Sequence, residues 1–104
     1  MTPVGYWEDA PFGAMEGEWL AFLPDGGGWW EWANAAGSEA MGFTWRGTEP
    51  GMLEIVLAEQ TVVTGYDVGV TVLRLEKDVF GLGTRRFSLV KREVSEVESP
   101  LRPA

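Results

Sequence analysis

Apolar side chains recur at every second position in run after run of this sequence, and glycine or proline separates one run from the next. Successive side chains of a strand point to opposite faces, whereas a helix repeats its apolar face every three to four residues. "EWLAFLP" sets Leu20 and Phe22 on one face and Trp19, Ala21 and Leu23 on the other. "GWWEWAN" pairs Trp30 with Trp32 and leaves Trp29, Glu31 and Ala33 opposite. "EAMGFTWRG" aligns Met41, Phe43 and Trp45, and "GMLEIVLAEQ" aligns Leu53, Ile55 and Leu57. "GVTVLRLEKD" and "TRRFSLVKRE" read as a last hairpin, with Leu73 and Leu75 facing Phe87 and Leu89. Period two wins in each run, and at most a turn of helix is expected near residues 8 to 16.

Short glycine-rich links between such runs make antiparallel hairpins. "DGGG" suits a tight turn between residues 17–23 and 28–34, and "NAAGSE" suits a second. The pattern predicts an all-β fold, an antiparallel meander of six to eight strands forming a small barrel or half-barrel. Full closure would remove the exposed edges. The length of 104 residues fits one domain, expected over residues 1–93. The segment "VSEVESPLRPA" is polar and proline-bearing, so residues 94–104 are expected to form a flexible C-terminal tail.

A barrel of about this strand number is filled by side chains or holds one small ligand. Trp30, Trp32, Phe43, Trp45, Phe22 and Phe87 fall on the inward faces as candidate filling. Trp29 alternates to the opposite face, shared with Glu31 and close to Asp25. A charge is rarely buried without a partner, so that face is expected to be the wetter one, with Trp29 available for contact.

Three stretches carry a resemblance. "VGYW", with Gly5 and Trp7, is similar to the Gly-x-Trp motif that opens the first strand of lipocalins and the wider calycin group. "GEWLAFLPDGGGWWEW" followed by "GFTWRGTEPGMLEI" resembles small bacterial lipocalin-like proteins. Together these stretches span residues 5 to 55. The chain is much shorter than true lipocalins. The resemblance implies that Trp7 closes one end of the barrel and that an arginine, Arg86 or Arg92, packs over it.

Composition removes much chemistry. The chain has no histidine and no cysteine, so the usual catalytic triads, thiolate nucleophiles and zinc sites are unavailable. Glu18 and Glu31 are the carboxylates expected to be near neighbours, as a glycosidase pair requires, yet a barrel this small offers little cleft. "PDGGG" lacks a calcium-loop pattern, and "GLGTRR" lacks the lysine and following helix of a phosphate loop. No catalytic residue, metal site or cofactor is therefore assigned, and the chain is expected not to be an enzyme. No signal peptide or spanning segment is recognisable, so a cytoplasmic protein without membrane contact is expected.

Charge is unevenly placed. Residues 1 to 45 carry Glu8, Asp9, Glu16, Glu18, Asp25, Glu31 and Glu39 with no Lys or Arg, and all six tryptophans lie there. The net charge of −8 repels phosphate backbones and argues against nucleic acid. Acids beside tryptophan suit a cationic partner. The main expectation is a non-catalytic binding protein of immunity or inhibitor type, engaging the basic face of a protein partner through its acidic, Trp-bearing side. The alternative is a lipocalin-like carrier of a small apolar or cationic ligand in the barrel mouth. The first requires a filled interior and an exposed Trp29. The second requires a cavity on the order of several hundred Å³ lined by Trp30, Trp32 and Trp45. Contact residues are thus Trp29, Glu31, Asp25, Trp30, Trp32 and Trp45.

Overall fold

The computed structural model describes residues 2–9 and 15–101. Eight strands follow one another as a meander and close into a barrel. They are β1 (Gly5–Asp9), β2 (Glu16–Phe22), β3 (Gly27–Asn34), β4 (Gly37–Glu49), β5 (Met52–Val56), β6 (Thr61–Val68), β7 (Val72–Leu75) and β8 (Arg86–Lys91). Neighbours pair antiparallel, and β1 pairs with β8 through Trp7 opposite Leu89, so no strand is left with an open edge. Among the described residues no helix is long and apolar enough to cross a membrane.

The expected alternation sets the inside. Trp7, Leu20, Phe22, Trp30, Phe43, Leu53, Ile55, Leu73 and Phe87 form one buried cluster. Burying each large side chain of this kind contributes roughly 1.5–3 kcal/mol. Within the cluster the rings run in a row along the barrel. Trp45 meets Phe22 edge to face at 5.6 Å, Phe22 meets Phe43 at 5.4 Å, and Phe43 meets Phe80 at 5.7 Å. Phe80 then stacks on Trp30 at 5.7 Å. Gly28 makes the row possible. It stands opposite both Phe22 and Phe43, and a Cβ there would lie 2.5 Å from Phe43 Cε1.

The hairpins follow the turn residues. In the β2–β3 turn the Gly26 amide donates to the Leu23 carbonyl at 3.2 Å, and Asp25 Oδ1 accepts from the Gly27 amide at 2.9 Å. Asn34 Oδ1 accepts from the Ala36 and Gly37 amides and shapes the β3–β4 turn.

Two expectations need correction, and two more are met only in part by the described residues. The turn of helix allowed near residues 8 to 16 falls mostly on residues 10–14, which lie outside the described residues, while Glu8 and Asp9 belong to β1 and Glu16 opens β2. The last hairpin is shorter than its apolar runs suggested, because residues 76–85 leave the sheet and fold back over the barrel mouth. There Val79 is buried and Phe80 joins the core. Residues 94–104, expected as a flexible tail, are described as far as residue 101. Val94, in the short 3₁₀ turn Val94–Glu96, is buried, and Val97 packs beside it.

The other correction concerns Trp29. It does point outward, but Val94 and Val97 pack over it together with Val4, Tyr6 and Leu23, leaving it 3 % exposed. Alternation located its direction and could not foresee the cover.

Candidate functional site

The barrel has two unlike ends. At the end where β1 begins, the Trp7 indole N–H donates to the Pro3 carbonyl at 2.8 Å. The Trp45 indole donates to the Leu23 carbonyl there at 3.1 Å. Trp7 and Phe22 have no exposed surface. This end is closed.

At the other end the inward alternation of β2 continues past Leu20 to Glu18 and Glu16. Register sets Glu18 opposite Trp32 and Glu16 opposite Asn34. Trp30 donates its indole N–H to Glu18 Oε2 at 2.8 Å, and Trp32 donates to Glu16 Oε2 at 3.2 Å. The Thr84 hydroxyl, from the loop between β7 and β8, donates to Glu18 Oε1. Glu18 is only 5 % exposed. A carboxylate taken out of water is costly unless donors hold it, and these donors supply that support.

An open cleft of about 870 Å³ lies over this end, walled by Asp9, Glu16, Glu18, Trp32, Leu82 and Thr84. Its described lining holds no lysine or arginine. Three carboxylates on a concave, partly apolar wall concentrate a negative field in the cleft. A second cleft of about 540 Å³ opens beside it, between the β5–β6 and β7–β8 loops, with Leu57, Gln60, Val79 and Phe80 on its walls.

The expected contact residues are split by this geometry. Trp32 is half-buried on the cleft wall, and Trp30 lies behind it in the core. Trp45 belongs to the closed end, as does Asp25 in its exposed turn. Trp29 and Glu31 are on the outer face. A cavity lined jointly by Trp30, Trp32 and Trp45 therefore does not form, because the aromatic row fills the barrel between them. Glu18 and Glu31 are not a pair either. Glu18 points inward opposite Trp32, whereas Glu31 points outward opposite Trp19.

No family model, curated protein or solved structure matches this chain. Likeness to the calycin group thus rests on the barrel itself, an eight-stranded antiparallel meander closed on its own first strand. Of the two arginines that the resemblance offered over Trp7, Arg86 is exposed on β8 opposite Arg74, towards the other end of the barrel. Arg92 follows β8 at the closed end and donates to the Val70 carbonyl at 3.0 Å. Trp7 itself is sealed by Pro3 and by strand packing.

The outer face of β1, β2 and β3 carries a second acid-and-aromatic group. The Trp19 indole donates to Glu8 Oε2 at 3.3 Å, and Trp19 stands opposite Glu31 on β3. Burial pushes the Tyr6 hydroxyl above its ordinary value, and the Glu31 and Glu8 carboxylates push it further. On the far side of the barrel Arg46 and Glu54 form a cross-strand ion pair at 2.9 Å, and the Arg46 guanidinium holds the Glu54 carboxyl below its usual value.

The residues that build the open end were mostly passed over at the sequence level. Glu16 and Glu18 carried a usable signal, since counting back by twos from Leu20 puts both inside. Asp9 carried the same signal, two residues on from inward Trp7 and opposite Glu18, whereas Leu82 and Thr84 carried none, because the folding-back of a loop brings them there. Among the described residues no group of three acids is arranged to hold a metal ion.

Proposed function

We propose that this chain is a non-catalytic, lipocalin-like binding protein that holds a small organic cation with an apolar part in the cleft at its open end. The observation that carries this reading is the cleft of about 870 Å³ in which Trp32 stands among Asp9, Glu16 and Glu18 without a basic residue in its described lining. An indole face attracts a cation by roughly 0.5–2 kcal/mol, and nearby carboxylates add an attraction that salt screens. The shape serves the same end, since a concave wall desolvates an apolar group that a flat surface would leave wet. The filled interior leaves the mouth, and not the barrel axis, as the place for the ligand.

Calorimetric titration with benzyltrimethylammonium, and with benzoate as the anionic control, tests the proposal. The cation is expected to bind saturably, more weakly in high salt, and benzoate not at all. Equal binding of benzoate, or no binding of the cation, contradicts the reading.

A protein partner with a basic face is supported by a different observation, the outer group of Tyr6, Glu8, Trp19 and Glu31. Trp29 does not serve such a contact while Val94 covers it, so the tryptophan offered there is Trp19. Binding of this kind should be lost in Trp19→Ala and retained in Trp32→Ala.

A further inference from the structure

The loop between β7 and β8 is rooted by buried Val79 and by the bonds of the Glu76 and Lys77 amides to β6, and two of its further contacts over the open end are of a kind that a ligand would make. Phe80 lies parallel to Trp30, with 4° between ring planes and centroids 5.7 Å apart. Thr84, four positions on, donates its hydroxyl to the carboxylate of Glu18 that also accepts the Trp30 indole N–H. Glu18 is nine-tenths buried, and among the described residues no lysine or arginine forms an ion pair with it. Its two donors are neutral and occupy only part of its accepting capacity, so it has no counter-charge among the described residues.

The same loop divides the two clefts. Leu82 and Thr84 line the acidic one, while Asp78, Val79, Phe80 and Gly81 line the other. Gly81 and Gly83 sit at φ of +88° and +83°, where the chain doubles back between its two contacts. Phe80 is only half-buried. Withdrawing this one segment uncovers a face of Trp30, frees one oxygen of Glu18 and joins the clefts.

We propose that Trp30 and Glu18 form a subsite for a flat aromatic cation, which Phe80 and Thr84 occupy until the β7–β8 loop swings aside. The inference rests on the open end being the binding site and adds the chemical class of its occupant. A flat ring takes the stacked position of Phe80. A positively charged N–H at its rim replaces the Thr84 hydroxyl and gives Glu18 the counter-charge it lacks, in a charge-assisted hydrogen bond. A tetraalkylammonium ion offers neither the flat face nor the N–H.

The probe is proflavine, a flat tricyclic cation, titrated into the whole chain with acridone as the uncharged tricycle. Phe80→Ala and Thr84→Val each remove a competing contact, so each should tighten proflavine about two- to tenfold. Thr84→Val changes the side-chain volume little, which keeps the test valid if Phe80→Ala fails to fold. Glu18→Gln should weaken proflavine by about tenfold or more, and acridone should respond far less. Unchanged or weaker proflavine binding in folded Thr84→Val overturns the subsite. If proflavine binding is also lost in Trp32→Ala, the mouth of the cleft remains the site and only the displacement of the loop is wrong. If no cation binds, the proposed function fails with it.

Discussion

The two ends of the barrel use the same residue type in opposite ways. At the closed end Trp7 and Trp45 give their indole N–H groups to backbone carbonyls, at 2.8 and 3.1 Å. At the open end Trp30 and Trp32 give theirs to the carboxylates of Glu18 and Glu16, at 2.8 and 3.2 Å. A neutral carbonyl is enough to satisfy one buried donor. A carboxylate does that and leaves a negative charge with further accepting capacity. The closed end therefore spends its tryptophans on packing. The open end keeps charge where packing alone has no need of it, and this contrast supports the proposal that the ligand binds there.

Substitutions at the two ends should part stability from binding. The largest effect is expected for Trp7→Ala, a cost of about 3–5 kcal/mol in a chemical melt, as for other large truncations in a core. In whatever fraction stays folded, affinity for benzyltrimethylammonium should be unchanged. A cost below about 1 kcal/mol would mean that the Gly-x-Trp feature does not seal the barrel.

Trp29 tests the outer face in the same way. Its ring is buried under Val94, yet its Nε1 finds no hydrogen-bond partner among the described residues. Trp29→Ala should thus cost about 2–4 kcal/mol through lost packing. Trp29→Phe keeps much of the ring and discards the orphaned donor, so its cost should stay under about 1 kcal/mol. A large loss in Trp29→Phe would show that the N–H has a partner of its own.

Trp32→Ala should invert the closed-end result. The side chain is half-buried on the cleft wall and packs on the core from one side only, so its cost should stay at about 1–2 kcal/mol, below that of Trp7→Ala. Affinity for benzyltrimethylammonium should fall about tenfold, the loss of a cation–π contact near the upper part of its range. Severe unfolding would reassign Trp32 to the core and erase the contrast.

The smallest effect concerns pH. Tyr6 has its hydroxyl raised above 10.0 by burial first, then by Glu31 and Glu8. The unfolded chain loses that proton before the folded one does. Its stabilising contribution is therefore full below about pH 10 and is lost as pH rises from there through the raised folded value. Tyr6→Phe should flatten that part of the stability profile, as melts at stepped pH can show.

How far the sequence alone reaches follows from the same contrast. The barrel, the β2–β3 turn and the inward direction of Trp30 and Phe22 depend on alternation and turn chemistry, which are local and visible in the residue order. The inward direction of Glu18 and Glu16 needed only the same count carried two and four residues back from Leu20. The cover over Trp29 did not announce itself, because Val94 and Val97 are single apolar residues in a polar stretch. Nor did the loop over the mouth. Val79 and Phe80 follow the charged residues Glu76, Lys77 and Asp78 in a stretch that reads as a hairpin loop, and the hydrogen bonds of the Glu76 and Lys77 amides to Gly65 and Thr64 on β6 accompany the inward turn.

The six indole N–H groups allow the central claim to be tested in one experiment. Each tryptophan gives one cross-peak in a ¹⁵N–¹H correlation spectrum, and single Trp→Phe variants assign them. On titration with benzyltrimethylammonium, the Trp32 and Trp30 peaks should move along a common saturation curve, while those of Trp7 and Trp45 stay in place. Movement of Trp7 and Trp45 without Trp32, or no movement at any of the six, would contradict the assignment of the open end as the ligand site.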